Sequence, residues 1–552
     1  MRRTAVFVLL LLNMDLQVNA ADKTTTSPAQ ASRTEEKVKT EHEASGTEPP
    51  VTTSPAFLGN LLVVPMDGSH WVGMKAIAEE MGRRGHKVTV VIPEISLKLG
   101  PGKHYDTVTF PVPYDKTFID SLTSSYKVKM VKSFMVMLNT RLLQLRQIVL
   151  PFIRVTAESL LFNASLISHL EQQGFDALLT DPVVPTGTLV GRKLGLPTVN
   201  LLRTIPCSLD MKAAGCPSPP SYVPIFYTRF TDKMNFKQRL VNTVMSCLEP
   251  LLCRLLYWHF DTMAHQFLGE DVGLAQILSD TDIWLLRSDF TLDFPRPLMP
   301  NIVMVGGINC KVRNPLPEDL ESWVSGEHGF VVFTLGTMVS DMPEELTSVF
   351  LEAFRQIPQK VIWRYTGEVP HNVPEHVKIM KWIPQNALLA HPGARAFITH
   401  AGSHGLFEGI CHAVPMVMLP LHWEQADNAQ RLASRGAGLV LDIYSISSDN
   451  LLLGLDEVIN TTRYKENIQK LSILHNDRPA DPLDLSVYWT EFVMRHKGAK
   501  HLKAAVADLN WFQYFCLDIV AVLVSVVLVS VVLTVKCFKL CLRRVRAKRK
   551  LD

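Results

Sequence analysis

Short apolar runs that alternate with helical stretches, twice over, most limit the folds open to this chain. Leu61-Leu-Val-Val-Pro65 reads as a buried strand, Met66 to Ser69 as a turn, Trp71 to Arg84 as a helix and Lys87 to Ile92 as a second strand. Gly85 stands where a helix C-cap belongs, so this passage is a βαβ unit. Phe175 to Thr180, ending in Asp181, and Gly195 to Asn200 continue the series. Between about Leu201 and Asp280 the alternation weakens and amphipathic helical runs predominate, Phe236 to Phe267 above all. A fresh series starts with the strand at Gly329 to Gly336 and a helix near Pro343 to Arg355. Strands follow at Val361 to Tyr365, Val377 to Lys381, Ala396 to Thr399, Pro415 to Leu419 and Gly438 to Asp442. Two such halves imply two doubly wound parallel-sheet domains of α/β class, joined near Leu298 to Val305. Ligands of these folds sit beyond the carboxyl ends of strands, which for two facing sheets is the cleft between them.

The two ends place the chain at a membrane. Arg2 and Arg3, the apolar run Ala5 to Leu12 and Val18-Asn19-Ala20 follow the order of a secretory signal. The apolar run is too short to span a hydrocarbon layer of about 30 Å, so residues 1–21 read as a signal peptide. Residues 22–57 are Ser-, Thr-, Pro-, Glu- and Lys-rich and cannot bury enough apolar surface to order, which predicts a disordered linker. The ordered halves are then 58–298 and 299–510. Residues 517–535 are apolar apart from Asp518, two Ser and one Thr, and predict one transmembrane helix. The basic tail 536–552 marks the cytosolic side, and Trp511 and Tyr514 fit the interfacial aromatic belt. This tail carries +7 of a chain total of +3, leaving −4 elsewhere, so the basic balance belongs to the anchor and gives no reason to expect nucleic acid.

The nine cysteines do not make a disulfide scaffold in a chain long enough to bury its own cores. Cys207, Cys216, Cys247, Cys253, Cys310 and Cys411 could pair on the far side of the membrane, in a connectivity the sequence leaves open. Asn163 and Asn460 head possible glycosylation sequons, and Cys537 and Cys541 would face the cytosol.

The stretch Trp382-Ile-Pro-Gln385-Asn386, His391-Pro392, Thr399-His400-Ala-Gly402, Glu408, Val414-Pro-Met416 and Glu424-Gln425-Ala-Asp427-Asn428 closely resembles the signature of UDP-glucuronosyltransferases. These are endoplasmic-reticulum membrane enzymes that transfer glucuronic acid from UDP-glucuronate to lipophilic acceptors. The resemblance runs from about Leu61 to the tail. Cys216-Pro-Ser-Pro-Pro-Ser-Tyr-Val-Pro and Met494-Arg-His-Lys-Gly-Ala make it similar to the phenol- and bilirubin-conjugating subfamily. It implies the GT-B fold, with acceptor on the first half and nucleotide sugar on the second, a single-pass topology with lumenal catalytic domains, and association with related transferases. Lys548 and Lys550 look like that family's dilysine retrieval signal.

His70 follows a strand and opens a helix, whose positive end disfavours an imidazolium and leaves a neutral ring able to take a proton. Its context, Pro65-Met-Asp-Gly-Ser-His-Trp71, resembles the family's catalytic-base motif. Asp181, ending another strand of the same sheet, could fix the tautomer and stabilise the imidazolium. Its alternative is a plain turn role before Pro182, with Asp176 as a rival carboxylate. An acceptor hydroxyl deprotonated here would attack the anomeric carbon opposite UDP and invert it, with no metal and no cofactor beyond the co-substrate UDP-glucuronate.

On the second half His400, Gly402, Ser403 and His404 lie at a helix start suited to the diphosphate. Trp382 offers a face for uracil, Gln385 can read its edge or the ribose, and Glu408 can accept from the ribose diol. The resemblance puts Thr337 beside the phosphates, and Glu424 and Gln425 on sugar hydroxyls. Arg364 is a candidate for the glucuronate carboxylate. Glu424 stands where relatives carry the shorter aspartate, which keeps open another UDP-sugar such as UDP-glucose. A third reading is a non-catalytic lipophile-binding membrane protein. Asp280-Thr-Asp282 has the spacing of a metal-binding motif and reads as a solvated loop.

Overall fold

The structure is a computed structural model that describes residues 57–125, 145–311, 315–336, 339, 342–421 and 424–548. The expected signal segment, nearly all of the 22–57 stretch, Thr337 and the last tail residues lie outside the described set. Among the described residues thirteen strands form two wholly parallel sheets. The first has the order β3-β2-β1-β4-β5-β6-β7, from β1 (Asn60–Val64), β2 (Lys87–Pro93), β3 (Asp106–Phe110), β4 (Ala177–Thr180), β5 (Thr198–Leu202), β6 (Ile283–Leu286) and β7 (Ile302–Met304). The second has the order β10-β9-β8-β11-β12-β13, from β8 (Phe330–Thr334), β9 (Lys360–Arg364), β10 (Val377–Met380), β11 (Ala394–Thr399), β12 (Met416–Met418) and β13 (Gly438–Val440).

Both sheets reverse strand order at their middle, between β1 and β4 and between β8 and β11, and it is there that side chains at strand ends meet the cleft. Leu61 and Val63 enter the core on one face of the first sheet, Leu62 and Val64 that on the other. A strand buried on both faces reads as a continuous apolar run, which is why these strands were visible in the sequence.

Two boundaries differ from the sequence division. Ile302–Met304 pairs with β6, so the chain leaves the first sheet after Met304, inside the 298–305 junction but past the 298 bound of the first half. The Pro482–His496 helix returns to the first lobe, where Leu483, Val487, Val493 and Met494 share a core with Leu61 and Met74. Its turn chemistry completes the return. Gly498 follows Lys497, both at positive φ, and Asp282 accepts from the backbone of Ala499 as well as Thr198. Asp282 is therefore a buried tie between β5 and this returning segment, not part of a solvated loop, and Asp280 pairs with Arg192.

The described residues include two helices long and apolar enough to cross a membrane, Leu517–Arg546 and Phe236–Leu268, and a bent pair at 146–172 that would make a third. No part of the 517–546 window is buried, and the helix runs on to Lys548 through the expected tail. The 236–268 helix instead sends Tyr257, Phe260, Met263 and Phe267 into the first lobe's core and buries Glu249 against Lys212 and Ser208. Disulfides join Cys207 to Cys253 and Cys310 to Cys411, while Cys216 and Cys247 are free.

Candidate active site

One cavity of about 790 Å³ occupies the cleft, and its lining includes every site candidate of the sequence that the structure describes except Asp181, which lies directly behind His70. On the first lobe, the turn after β1 is shaped by Asp67. Its carboxylate accepts from the backbone of Gly68, Leu97 and Lys98 at 2.6, 2.6 and 2.9 Å and so ties this turn to the loop after β2. The turn delivers His70 to the N-terminus of the Trp71–Arg83 helix. Across the β1–β4 reversal, Asp181 follows β4 and is 2 % exposed. His70 Nδ1 lies 2.7 Å from Asp181 Oδ2, and Asp181 Oδ1 accepts from Val183 N at 3.1 Å. A carboxylate on Nδ1 makes that atom the N–H and leaves Nε2 with its lone pair, on a side chain still 26 % exposed.

Arg287, one residue past β6, was not singled out from the sequence. Its guanidinium donates to His404 Nε2 at 2.6 Å and stands 3.5 Å from His70 Nδ1, with Nε buried and unpaired. Asp181 and Glu424 supply the negative charges around it, and burial lowers its affinity for the proton without removing the charge. The general rule that sites gather at carboxyl ends of strands is the signal that could have found it. His404 belongs to this junction: it also lies 3.2 Å from the Ser69 carbonyl and 3.0 Å from the Asn309 amide, so it bridges the lobes.

On the second lobe the Ser403–Cys411 helix begins soon after β11, with Gly402 as its N-cap and its first turn lining the cavity. The His400 ring is packed between Gly336 and Gly402. A Cβ on either glycine would meet it at 2.5 or 2.4 Å, so neither position tolerates a side chain. Burial brings the His400 pKa down to about 4, the Arg364 charge adding to the effect, and Nδ1 has no protein partner. Arg364, at the end of β9, donates to the Gly336 carbonyl and stacks 5.6 Å from the Trp382 ring centre. Trp382 itself is 64 % exposed. Gln385 donates to Glu408 at 2.5 Å, yet burial still pushes the Glu408 carboxyl up to about 7. Glu424 precedes the Gln425–Ser434 helix, and Gln425 accepts from Leu421 N at 2.8 Å.

The deep first-lobe end of the cavity is apolar, walled by Phe110, Phe152, Leu160, Leu256 and Phe260. Residues 126–144 lie outside the described set, and Leu251, Leu252 and Leu255 turn outward.

Two facing doubly wound lobes around a shared cleft are the GT-B architecture of glycosyltransferases. Solved structures share it: the spinosyn forosaminyltransferase SpnP with TM-score 0.56 and 18% identity over 80% of this chain and 100% of that one, and the calicheamicin glycosyltransferase CalG4 with TM-score 0.50 and 16% identity over 79% and 99%. The family model for UDP-glucoronosyl and UDP-glucosyl transferase matches residues 59–551, and the chain belongs to the UDP-glucuronosyltransferase family. It is 46% identical over 496 residues to UDP-glucuronosyltransferase 1A1 of Mus musculus, covering 88% of this chain and 91% of that protein. It is 46% identical over 481 residues to UDP-glucuronosyltransferase 1A6 of Homo sapiens, covering 86% and 90%, and 45% identical over 465 residues to a UDP-glucuronosyltransferase of Pleuronectes platessa, covering 82% and 98%.

Proposed function

We propose that this enzyme transfers glucuronic acid from UDP-glucuronate to a hydroxyl of a lipophilic acceptor, releasing UDP and a β-glucuronide. The observation that carries the reading is the 2.7 Å His70–Asp181 pair facing the His400 helix start across one cavity. The acceptor binds the apolar first-lobe wall with its hydroxyl at His70 Nε2. As the acceptor oxygen bonds to the anomeric carbon, its proton passes to Nε2 and Asp181 stabilises the imidazolium. The bond from that carbon to the β-phosphate oxygen breaks on the opposite face, inverting the centre.

The departing diphosphate gathers negative charge between Arg287, the neutral His400 ring acting as a donor, and the N–H groups opened by Gly402 and Ser403. Neutral His400 fits that task, since its pKa of about 4 keeps it uncharged at physiological pH. Uracil lies on Trp382, backed by Arg364. Gln385 and Glu408 hold the ribose, and Glu424 and Gln425 the sugar hydroxyls. The first lobe is thus the acceptor domain and the second the donor domain.

The 517–546 helix anchors the enzyme in the endoplasmic-reticulum membrane with both lobes lumenal and a cytosolic basic tail, associating there with lipid and with related transferases. Two disulfides fit that oxidising side of the membrane. A second reading keeps the mechanism and changes the sugar, because Glu424 reaches one methylene further than the aspartate of relatives. Membranes containing the protein, incubated with a phenol and in turn UDP-glucuronate, UDP-glucose, UDP-xylose and UDP-N-acetylglucosamine, give product masses that decide. A glucuronide supports the first reading, and a neutral glycoside without glucuronide replaces it.

A further inference from the structure

Asp427 occupies the first turn of the Gln425–Ser434 helix, where a carboxylate ordinarily serves its own helix end. Here it crosses to the other lobe. Its Oδ2 accepts from the backbone N–H of Tyr227 at 2.9 Å and its Oδ1 from that of Arg229 at 3.0 Å. Both donors hold left-handed backbone, φ 72° and 57°, a conformation that costs free energy for residues with a Cβ and persists only where something holds it. Asp427 is 7 % exposed, so these hydrogen bonds lie out of water; burial raises its carboxyl pKa, against which Arg431 and the two backbone N–H donors hold it down.

Two residues before Asp427 is Gln425 and three before it is Glu424, on the donor side of the cavity. The loop it grips places Phe226 and Tyr227, packed ring to ring at 4.1 Å, on the cavity wall beside Tyr257. The next residue, Asn428, donates to the Ala401 carbonyl at 3.1 Å and accepts from Arg203 of the first lobe at 3.1 Å, which fixes this helix start against the His400 loop as well.

We propose that Asp427 is a positioning residue for acceptor selection: it pins the Phe226–Arg229 loop of the first lobe to the helix that carries Glu424 and Gln425, so that the acceptor wall takes its shape from the donor lobe. The proposal rests on the glucuronyl-transfer reading for its kinetic arm only. Without Asp427 the left-handed pair relaxes, and Phe226 and Tyr227 no longer hold one edge of the acceptor cavity.

Asp427→Asn keeps side-chain volume while replacing one accepting oxygen by a donor that faces an N–H. It is compared with wild type in membranes for acceptor KM with a one-ring and a fused-ring phenol, for inhibition by UDP, and for tryptic cleavage after Arg229 and Lys233. The expected result is an acceptor KM raised about fivefold or more for at least one phenol, a UDP inhibition constant within about twofold, and faster cleavage at 229–233. Arg229→Gly added to Asp427→Asn recovers part of the acceptor KM, because glycine adopts positive φ without the clamp. Unchanged acceptor KM and cleavage rate overturn the proposal, as does a UDP constant that weakens in step with acceptor KM. Cleavage needs no turnover, so a chain inactive with every UDP-sugar would defeat the functional reading while the proteolysis still judges the clamp.

Discussion

The two sides of the cleft are prepared differently. On the first lobe, the reacting group is already paired: Asp181 is buried, hydrogen bonded to His70 and braced by Val183 N. On the second, the groups suited to the donor keep unused capacity, with His400 Nδ1 and Arg364 Nε buried and unpaired and Trp382 largely exposed. Unpaired buried polar atoms are costly, on the order of 1–3 kcal/mol each, and proteins keep them where a ligand completes them. On the proposed mechanism the His70–Asp181 pair is thus held ready by the fold, while the second lobe is completed by what it binds. Substitutions on the first lobe should act on turnover and those on the second on nucleotide affinity.

The largest effect expected is that of Asp181→Asn, which leaves volume intact but offers His70 Nδ1 no charge and no fixed tautomer. Turnover with a phenol should fall by about 10²–10⁴-fold while UDP inhibition stays level. Steady-state kinetics in membranes reads both, and a parallel loss of UDP affinity would erase the distinction between the lobes. Arg287→Met should cross that distinction, since Arg287 belongs to the first lobe yet lines the cleft where the diphosphate is proposed to lie. A loss of about 10²–10³-fold in kcat/KM together with weaker UDP inhibition is expected, and an unchanged UDP constant would remove Arg287 from the leaving-group site.

Trp382→Ala should weaken UDP by about 5- to 100-fold, the range of one base stacked on one aromatic ring, with turnover at saturating donor nearly intact. Glu408 gives the smallest and most specific effect. In the proposed site ribose hydroxyls donate to the ionised carboxylate, whereas the buried acid, with its pKa raised to about 7, holds its proton below that pH. Uridine, which carries no phosphate to titrate, should therefore bind more weakly as pH falls, by about tenfold between pH 8 and pH 6. Glu408→Gln should flatten this slope, and a slope that survives the substitution points to another group.

The strands were legible because each is a short apolar run buried on both faces. His70, Asp181 and His400 stood out because they follow strand ends, and Glu408 because it lies in the helix that follows His400. Arg287 was not legible. It stands in an unremarkable Leu-Leu-Arg-Ser sequence, and only the alignment of β6 beside β5 turns it to the cleft. The return of Pro482–His496 to the first lobe escaped for a related reason, since an amphipathic helix shows how much of it is buried and not which sheet buries it. His404 reads as one more donor-site residue in sequence, and its contacts with Ser69 and Arg287 depend on how the lobes face each other. Asp282 was misread because three residues carry no sign of the distant Ala499 backbone that its carboxylate accepts from.

The most direct test of separate roles for the lobes is His70→Gln, assayed in one membrane preparation for glucuronide formation and for UDP binding. Turnover should drop at least about 100-fold with UDP affinity held within about twofold. Retained turnover would contradict a base at residue 70, and lost UDP affinity would contradict a donor site built by the second lobe.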